Sequence, residues 1–359
     1  MKPNLTTGLD VSDRYSTYVT LASGDEAEAE GRVRTTPAAL RAVFGGTQRQ
    51  RVVVETGPHS PWISRLLDEL GHQCIVANAR MLALIHSHPR KTDRTDAESL
   101  ARLGRFDPRM LAPIEHRGEE AQAHLAVLRT RDAMVRARTL LVNHARGTVK
   151  SMGGRIPSCS TRSFARMAEA HLPESLVPAL EPALATIDGL TRQIGQLDRR
   201  IGELARASYP ETEVLQQVAG VGPVTALAFR LVLDDKRRFT NSRSVGAYLG
   251  LVRRLDISGD SDPELRITKA GNGLLRRLLV QAAHYILGPF GPDTALRRWG
   301  LDYIRSSGGT GRAKKKATVA VARRLAVLLH RLWVTGEVYE PLRGAADDNA
   351  RKEARTTDR

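Results

Sequence analysis

Cysteine and aromatic residues are scarce in this chain of 359 residues, which contains two cysteines and 4% aromatic residues. Two thiols provide neither a disulfide framework nor the four ligands of a structural zinc site. No stretch approaches the roughly 20 apolar residues that a bilayer-spanning helix needs. The N-terminal segment MKPNLTTGLD also lacks the apolar core of a secretory signal. These absences predict a cytoplasmic protein that does not enter a membrane.

Acidic residues are also in deficit, because 55 lysines and arginines oppose 39 aspartates and glutamates, and the formal net charge is +16. A protein this basic usually binds a polyanion, and nucleic acid is the commonest one. An anionic membrane surface is the other candidate, but the sequence has no amphipathic helix with an aromatic-rich apolar face. The length favours two or three domains.

The first part of the chain alternates between strand and helix patterns. TTGLDVSDRYSTYVTLAS is typical of two strands joined by a tight polar turn, and RVVVETG of a short buried strand. The helix PWISRLLDELGH, the strand QCIVANARM and a helix that begins with TDAESLARLGR follow. This order predicts a mixed α/β domain over residues 1–115.

The rest of the chain is predicted to be mainly helical. Over residues 116–205 an apolar seam recurs in heptads, at Leu180, Ala183, Ile187, Leu190, Ile194, Leu197, Ile201 and Leu204. The seam predicts a coiled coil between chains or an antiparallel helix pair within one chain. Residues 206–343 should form a mainly α domain with one irregular insertion, and residues 344–359 a disordered tail.

Four carboxylates stand at distinctive points of the predicted α/β domain. Asp10 lies mid-strand, Glu55 ends a run of three valines, and Asp93 and Asp96 open a helix. Acidic residues favour the first helical turn because they complement the helix dipole, which explains Asp93 and Asp96 without a catalytic role, and any one of the four acids alone is more often structural than catalytic. A half-buried charge needs a partner, however, and strand ends of α/β sheets bind ligands. Together the four predict a Mg²⁺ site, since Mg²⁺ prefers carboxylate oxygens and serves phosphoryl transfer.

Two glycines punctuate the segment LQQVAGVGPVTALAFRLVL. Gly220 and Gly222 permit a tight turn, and the next helix should begin at Pro223. A helix, a Gly-Val-Gly turn and a second helix are the pattern typical of a helix-hairpin-helix, whose exposed backbone N–H groups bind phosphate. A plain helix–turn–helix connection is the alternative.

Ser258 and two groups of basic residues follow this turn. From the residues alone Ser258 is more readily a turn residue than a nucleophile near phosphate. The basic residues predicted to bind nucleic acid are Arg266, Lys269, Arg276, Arg277, Lys314, Lys315, Lys316, Arg323 and Arg324. Because aromatic residues are few there, contacts with the phosphate backbone are expected more than base stacking.

Several motifs occur together in the order typical of one family. They are GLDVSD, VVVETGPHSPWISRLL, KTDRTDAESLARL, VAGVGPVTALAF, YLGLV, SGD, ITKAGNGLLRRLLVQAA and KKKATVAVARRLA. In these motifs the chain resembles, over about residues 5–342, the bacterial DEDD-type insertion-sequence transposases of the IS-one-ten family, described as bridge-RNA-guided recombinases. The resemblance implies an RNase H-like, RuvC-like N-terminal domain whose four acids are Asp10, Glu55, Asp93 and Asp96. It also implies a C-terminal transposase domain whose serine before glycine is Ser258.

The resemblance further implies a mechanism and a set of partners. Mg²⁺ would be held by the four acids, and Ser258 would form a phosphoserine link to DNA while a 3′-hydroxyl is released. The expected partners are DNA of the element ends and target, a bridge RNA, and further copies of the chain in a dimer or tetramer.

One segment departs from the family pattern. In SGDSDPELR three acids stand where members often have a second glycine and more basic residues, and Ser261 lies close to Ser258. Ser258 is preferred because Gly259 follows it. Two other functions remain open. A Holliday-junction resolvase or other nuclease would use water in place of the serine, and a non-catalytic nucleic-acid scaffold would keep the acids for structure alone.

Overall fold

The computed structural model of the chain describes residues 5–22, 26–79, 92–259 and 261–343. These residues belong to two units, 1–118 and 119–359, and each unit has its own apolar core. The tail 344–359, which the sequence predicts to be disordered, lies outside the described residues.

A five-stranded mixed sheet forms the centre of the first unit. Its strands are β1 (Thr6–Val11), β2 (Tyr15–Leu21), β3 (Ala27–Arg34), β4 (Arg51–Glu55) and β5 (Gln73–Ala77). Their order is β3-β2-β1-β4-β5; β2 is antiparallel to β1 and to β3, whereas β4 runs parallel to β1 and β5 parallel to β4. The sheet confirms the predicted mixed α/β domain, and its strand order is compatible with an RNase H-like fold.

The sequence-based prediction contains neither β3 nor the helix α1 (Pro37–Phe44) that follows it. Charged side chains occupy four of the eight β3 positions, and only Val33 is buried. The strand therefore lacks the apolar alternation by which strands are recognised. It forms through backbone pairing with β2 at the sheet edge, where charged residues also discourage pairing with other chains.

Helices cover both faces of the sheet. Helix α1 and helix α2 (Ser60–Glu69) pack on one face, where Leu9 and Val54 enter their apolar cluster. Helix α3 (Asp93–Phe106) covers the other face and meets Val19 there. Because successive side chains of a strand point to opposite faces, the strands contribute apolar side chains to two separate clusters, one on each face of the sheet.

Gly8 lets α3 lie directly against β1. A Cβ atom at Gly8 would come 1.9 Å from the carbonyl oxygen of Ala97. Toward the other end of the helix, a Cβ atom at Gly104 would come 2.3 Å from a methyl group of Val53, and Arg51 donates a hydrogen bond to the Gly104 carbonyl oxygen at 2.7 Å. Because the helix ends near the start of β4, it begins at the carboxyl ends of β1 and β4.

A long helical hairpin opens the second unit. It consists of α4 (Glu119–Ser151), the short α5 (Phe164–Glu169) and α6 (Val177–Ser208). The ion pair of Arg131 with Asp198 at 2.8 Å and the hydrogen bond from Arg138 to Thr191 at 3.3 Å show that α4 and α6 are antiparallel. Five of the eight predicted seam residues are buried and three are half-buried, so the seam packs within one chain.

The described part of the second unit continues with six helices around one core. They are α7 (Thr212–Gln216), α8 (Pro223–Leu233), α9 (Arg243–Tyr248), α10 (Gly273–Leu287), α11 (Ala295–Ser306) and α12 (Gly311–Thr335). Gly220 makes the turn before α8 with a φ of +82°, and a Cβ atom there would lie 3.1 Å from the carbonyl oxygen of Ala282. Among the described helices none is both long and apolar enough to cross a membrane.

The described residues 252–259 and 261–268 form an exposed arm between α9 and α10. Its base pairs Arg253 with Ile267, and its tip pairs Ser258 with Ser261 through backbone hydrogen bonds of 3.2 and 3.0 Å. The described residues of the arm belong to no helix and to no strand longer than these isolated bridges, in agreement with the irregular insertion that the sequence predicts.

Ion pairs hold the arm in place. The Glu264 carboxylate lies 2.5 Å from the Lys316 Nζ and 3.5 Å from the Arg312 guanidinium, both near the start of α12. Asp262 pairs with Arg253 within the arm at 2.9 Å. The Lys316 ammonium, followed by the Arg312 guanidinium, holds the pKa of Glu264 below its ordinary value. The carboxylates of Glu264 and Asp262 are thus both paired with cations of the same chain.

Replacing Gly8 with alanine should destabilise the first unit, because the new methyl group would overlap the α3 backbone. Overpacking of this kind costs about 1–3 kcal/mol. Thermal unfolding of the full chain, followed by circular dichroism and limited proteolysis, should show the first unit opening earlier. Gly57→Ala is the matched control, since no atom lies within 4 Å of a Cβ there. Equal stability of the two variants would contradict the close packing.

Replacing Glu264 with glutamine should loosen the arm at neutral pH, because Lys316 and Arg312 lose their charged partner. A carboxylate whose pKa is lowered by folding stabilises the fold above its ordinary pKa, and this stabilisation is lost as the pH falls through the lowered value. Hydrogen-exchange protection factors of residues 261–268 should therefore fall in the wild type below the ordinary glutamate pKa of 4.5.

In the Glu264→Gln variant these protection factors should already be low at pH 7. Glu203→Gln is the control, since Glu203 is an exposed helical carboxylate that pairs with Arg200 at 3.6 Å. Wild-type protection of the arm in Glu264→Gln at pH 7 would show that the ion pairs do not hold it.

Candidate active site

Asp10 and Glu55 lie side by side at the carboxyl ends of two parallel strands. Leu9 of β1 is opposite Val54 of β4, so the next residues along the two strands come level with each other. Both carboxylate side chains are half-buried. The end of β4 is tied to β5, because the N–H and the hydroxyl of Thr56 both donate to one carbonyl oxygen of β5, at 2.9 and 2.6 Å.

A reciprocal capping box fixes the start of α3. The Thr92 hydroxyl accepts a hydrogen bond from the Thr95 N–H at 3.2 Å, and the Thr95 hydroxyl accepts one from the Thr92 N–H at 2.9 Å. Asp93 is the first helical residue and is exposed, whereas Asp96 is buried, with 9% of its surface exposed. Both carboxylates lie in the first turn of the helix, where acidic side chains stabilise a helix by complementing its dipole.

All four carboxylates are carried by backbone at one end of one sheet face. Side chains alternate along a strand, so Asp10 and Glu55 share the face of Gly8, on which α3 packs. Since α3 begins at the carboxyl ends of β1 and β4, Asp93 and Asp96 lie over the same end. The structure therefore brings these four predicted residues into one region of the first unit.

The donor set suits a hard divalent cation, because it consists of carboxylate oxygens alone. Across the described residues, no three Asp, Glu, His or Cys side chains are arranged as a metal-binding group. The backbone thus gathers the acids, while the side-chain conformations do not form a complete ligand shell. Exposed Asp93 is the member with room to turn toward the other three.

A groove of about 640 Å³ opens beside Asp93. Its lining residues are Thr17, Glu30, Gly31, Arg32, Thr92, Asp93 and Arg94. Of the four acids, Asp93 lines this groove, and Thr17 on its wall is the pairing partner of Asp10. Arg32 and Arg94 are candidate phosphate contacts that the sequence reasoning missed. The alternating arginines in GRVR of β3 are the signal that could have pointed to Arg32.

Ser258 lies in the second unit, at the tip of the arm, and its side chain is exposed. Gly259, the next residue, has a φ of +53°, a conformation that glycine adopts without strain. The backbone of Ser258 is bonded on both sides to Ser261, which is also exposed. The hydroxyl of either serine could therefore be removed without breaking the turn.

Four predicted basic residues lie near the junction of the arm with α10. Arg266 and Lys269 are exposed. Arg276 donates hydrogen bonds to two backbone carbonyl oxygens, at 3.0 and 2.6 Å, and so braces the turn before α10. Arg277 pairs with Asp132 of the hairpin at 2.6 Å. Arg276 and Arg277 thus have structural partners as well as positive charge.

The remaining predicted basic residues, Lys314, Lys315, Lys316, Arg323 and Arg324, all lie on α12. The helix begins at Gly311, because the Thr310 hydroxyl accepts a hydrogen bond from the Ala313 N–H at 3.2 Å. The lysines therefore lie inside its first two turns. Arg324 lies over the indole ring of Trp299 in α11, with 3.7 Å from the guanidinium carbon to the ring centroid.

Two family models match the chain. A model for DEDD transposases of the IS110 group matches residues 7–153, which include the four carboxylates. A model described as "Transposase IS116/IS110/IS902 family" matches residues 212–295, which include Ser258. The two matches correspond to the two regions that carry the candidate site residues.

Curated bacterial proteins are similar over most of the chain. The putative transposase y4rJ of Sinorhizobium fredii is 31% identical over 317 residues, which is 80% of this chain and 78% of the relative. The transposase for insertion sequence element IS1111A of Coxiella burnetii is 29% identical over 256 residues, covering 69% of this chain and 68% of the relative. The probable family 20 transposase of Pseudomonas aeruginosa is 28% identical over 302 residues, or 81% and 86% of the two chains.

The similarity thus extends through both units and includes the DEDD region as well as the region of the serine. The chain belongs to the IS110 family of transposases, enzymes that cleave and rejoin DNA.

Proposed function

We propose that this transposase exchanges DNA strands of an insertion sequence through a Mg²⁺–carboxylate site and a serine nucleophile, guided by a bridge RNA. The carboxylates are Asp10, Glu55, Asp93 and Asp96, and the nucleophile is Ser258. The observation that carries the proposal is the placement of the four acids at one end of one sheet face. In this proposal the first unit is an RNase H-like, RuvC-like domain, and the turn before α8 is helix-hairpin-helix-like.

The proposed role of Ser258 is to take over the scissile phosphate. Its hydroxyl oxygen forms a bond to phosphorus while the bond from phosphorus to the 3′-oxygen breaks. The serine loses one proton and the departing 3′-oxygen gains one, so the exchange is balanced. A 3′-hydroxyl of the second DNA then attacks the phosphoserine and releases Ser258. A covalent intermediate suits recombination because the energy of the phosphodiester bond is kept.

The proposed role of the carboxylates is to hold Mg²⁺. When bound, the ion would polarise the scissile phosphate and stabilise the charge that develops on it. Buried Asp96 and the half-buried Asp10 and Glu55 restrict the position of the cation, whereas exposed Asp93 can adjust as DNA enters. The proposal requires Ser258 and these carboxylates to act on the same phosphodiester, from one protomer or from two.

The proposed partners are DNA of the element ends and target, a bridge RNA, and further copies of the chain in a dimer or tetramer. The nine basic residues of the arm, α10 and α12 are candidate contacts to phosphates. If base pairing with RNA selects the target, the protein needs no base-reading helix of its own. The net charge of +16 supports binding of either nucleic acid.

A nuclease of the Holliday-junction-resolvase type is the second candidate function. All four acids belong to the first unit, whereas Ser258 belongs to the second. A reaction in which water attacks the phosphate would therefore need the carboxylate unit alone. The two candidates differ in whether protein becomes bonded to DNA.

Ser258→Ala should abolish a covalent protein–DNA adduct, because the nucleophile is removed. The measurement is a denaturing gel of full-length protein incubated with element-end DNA, Mg²⁺ and the RNA that co-purifies or the transcript flanking the element. Ser261→Ala is the matched control, since Ser261 shares the same backbone pair and is also exposed. The control should retain the adduct.

Loss of the adduct in Ser261→Ala and its retention in Ser258→Ala would assign the nucleophile to Ser261. Cleavage without an adduct, unchanged in Ser258→Ala, would mean that water attacks and that the nuclease function is correct.

Asp96→Asn should abolish cleavage and weaken Mg²⁺ binding, because a buried ligand loses its charge. The variant keeps the side-chain shape, so the packing of α3 should survive. Glu98→Gln on the same helix is the control; Glu98 pairs with Arg94 and Arg102, at 3.3 and 2.7 Å. Calorimetric titration of Mg²⁺ and the cleavage gel are the two measurements. Wild-type metal affinity in Asp96→Asn would remove this residue from the proposed ligand set.

A further inference from the structure

A groove in the second unit combines positive charge with aromatic rings. It has a volume of about 740 Å³ and lies between α11, α12 and residues 339–343. Of the described residues that line it, five are arginines, three are aromatic and one, Glu340, is acidic. The size is that of a pocket for a nucleotide-sized ligand, for which about 300–1,000 Å³ is usual. The charge favours an anionic one.

The Arg324 guanidinium lies over the Trp299 ring in this groove, and Tyr303 lies beside Trp299 at a tilt. The Arg324 guanidinium carbon lies 3.7 Å from the Trp299 ring centroid. The Trp299 and Tyr303 centroids are 5.8 Å apart, with 40° between the rings. The two rings are half-buried, while Arg324 is exposed. The Arg324–Trp299 layer thus includes an exposed planar cation, a group on which a flat base can stack.

The wall of the groove after α12 is fastened at several points. The Ala295 N–H donates a hydrogen bond to the Pro341 carbonyl oxygen at 2.7 Å, and the Tyr339 N–H donates one to Gln217 at 2.7 Å. Farther along, Glu337 lies 3.0 Å from the guanidinium groups of both Arg331 and Arg343. The groove is therefore preorganised, which lowers the entropic cost of binding.

We infer that this groove binds an unpaired stretch of nucleic acid, with one base stacked on the Arg324–Trp299 layer and a flanking phosphate on Arg323. A phosphate alone would not use the aromatic rings, because a ring offers it no favourable contact. A duplex would not use them either, because its base faces are already stacked on each other. A base that is free of its neighbours satisfies both parts of the groove at once. The inference rests on the proposed function, in which an RNA and separated DNA strands are present.

The C-terminal tail does not complement the charge of the groove. Residues 344–359 contain four acidic and four basic side chains, so their side chains supply no net negative charge to the groove. An external polyanion is the better match. Single-stranded RNA and single-stranded DNA share the chemistry required, and the experiment separates them.

Fluorescence anisotropy of the full-length protein with labelled oligonucleotides tests the inference. The probes are a single-stranded RNA, the single-stranded DNA of the same sequence, and the corresponding DNA duplex. Trp299→Ala and Arg324→Ala should each weaken binding of a single strand by about tenfold, the usual effect of removing one stacking partner. Duplex binding should stay close to that of the wild type.

Two controls accompany these variants. Arg200→Ala removes another exposed arginine, which belongs to α6 and does not line the groove, and it should leave single-strand affinity unchanged. Trp299→Phe keeps a ring in the packed layer and should retain most of the affinity. Quenching of tryptophan fluorescence by the single strand should occur in the wild type and be largely lost in Trp299→Phe.

If the two alanine variants bind RNA more weakly than the wild type but bind single-stranded DNA normally, RNA is the occupant. If both single strands are bound more weakly by the same factor, any unpaired strand enters the groove. The inference is overturned if Trp299→Ala and Arg324→Ala bind single strands as the wild type does. Equal weakening of duplex binding, or full competition by polyglutamate, would also overturn it. If the wild-type protein forms the Ser258 adduct but binds no single strand, the inference about this groove is wrong and the proposed function still holds.

Discussion

The close contact between α3 and β1 is the constraint on which the carboxylate arrangement depends. Because Gly8 has no side chain, the α3 backbone reaches the sheet at Ala97. This contact fixes the height of the helix above β1, and the capping box at Thr92 fixes where the helix begins. Asp93 and Asp96 consequently stand over the strand ends that carry Asp10 and Glu55. A bulkier residue in β1 would lift the helix and separate the two pairs.

In the second unit, opposite charges organise a surface that is basic overall. The acids of SGDSDPELR depart from the family pattern, yet Glu264 lies beside Lys316 and Arg312, and Asp262 pairs with Arg253. Some cations near the arm are therefore neutralised within the protein.

Local patterns predicted much of the fold. Strand patterns joined by a polar turn located β1 and β2, a run of three valines located β4, and the heptad seam located α6. Strand β3 was missed because its side chains are mostly charged and exposed, and edge pairing leaves no apolar pattern.

The sequence by itself determined the class of protein, because residue types and their spacing carry the carboxylates, the serine before glycine and the family motifs. It also indicated that the partner is a polyanion, because the net charge of +16 follows from the composition alone and does not depend on the fold. Only the tertiary structure decided which arginines meet aromatic rings. Trp299 and Arg324 are 25 positions apart on different helices, and their stacking follows from helix packing, which no local pattern records.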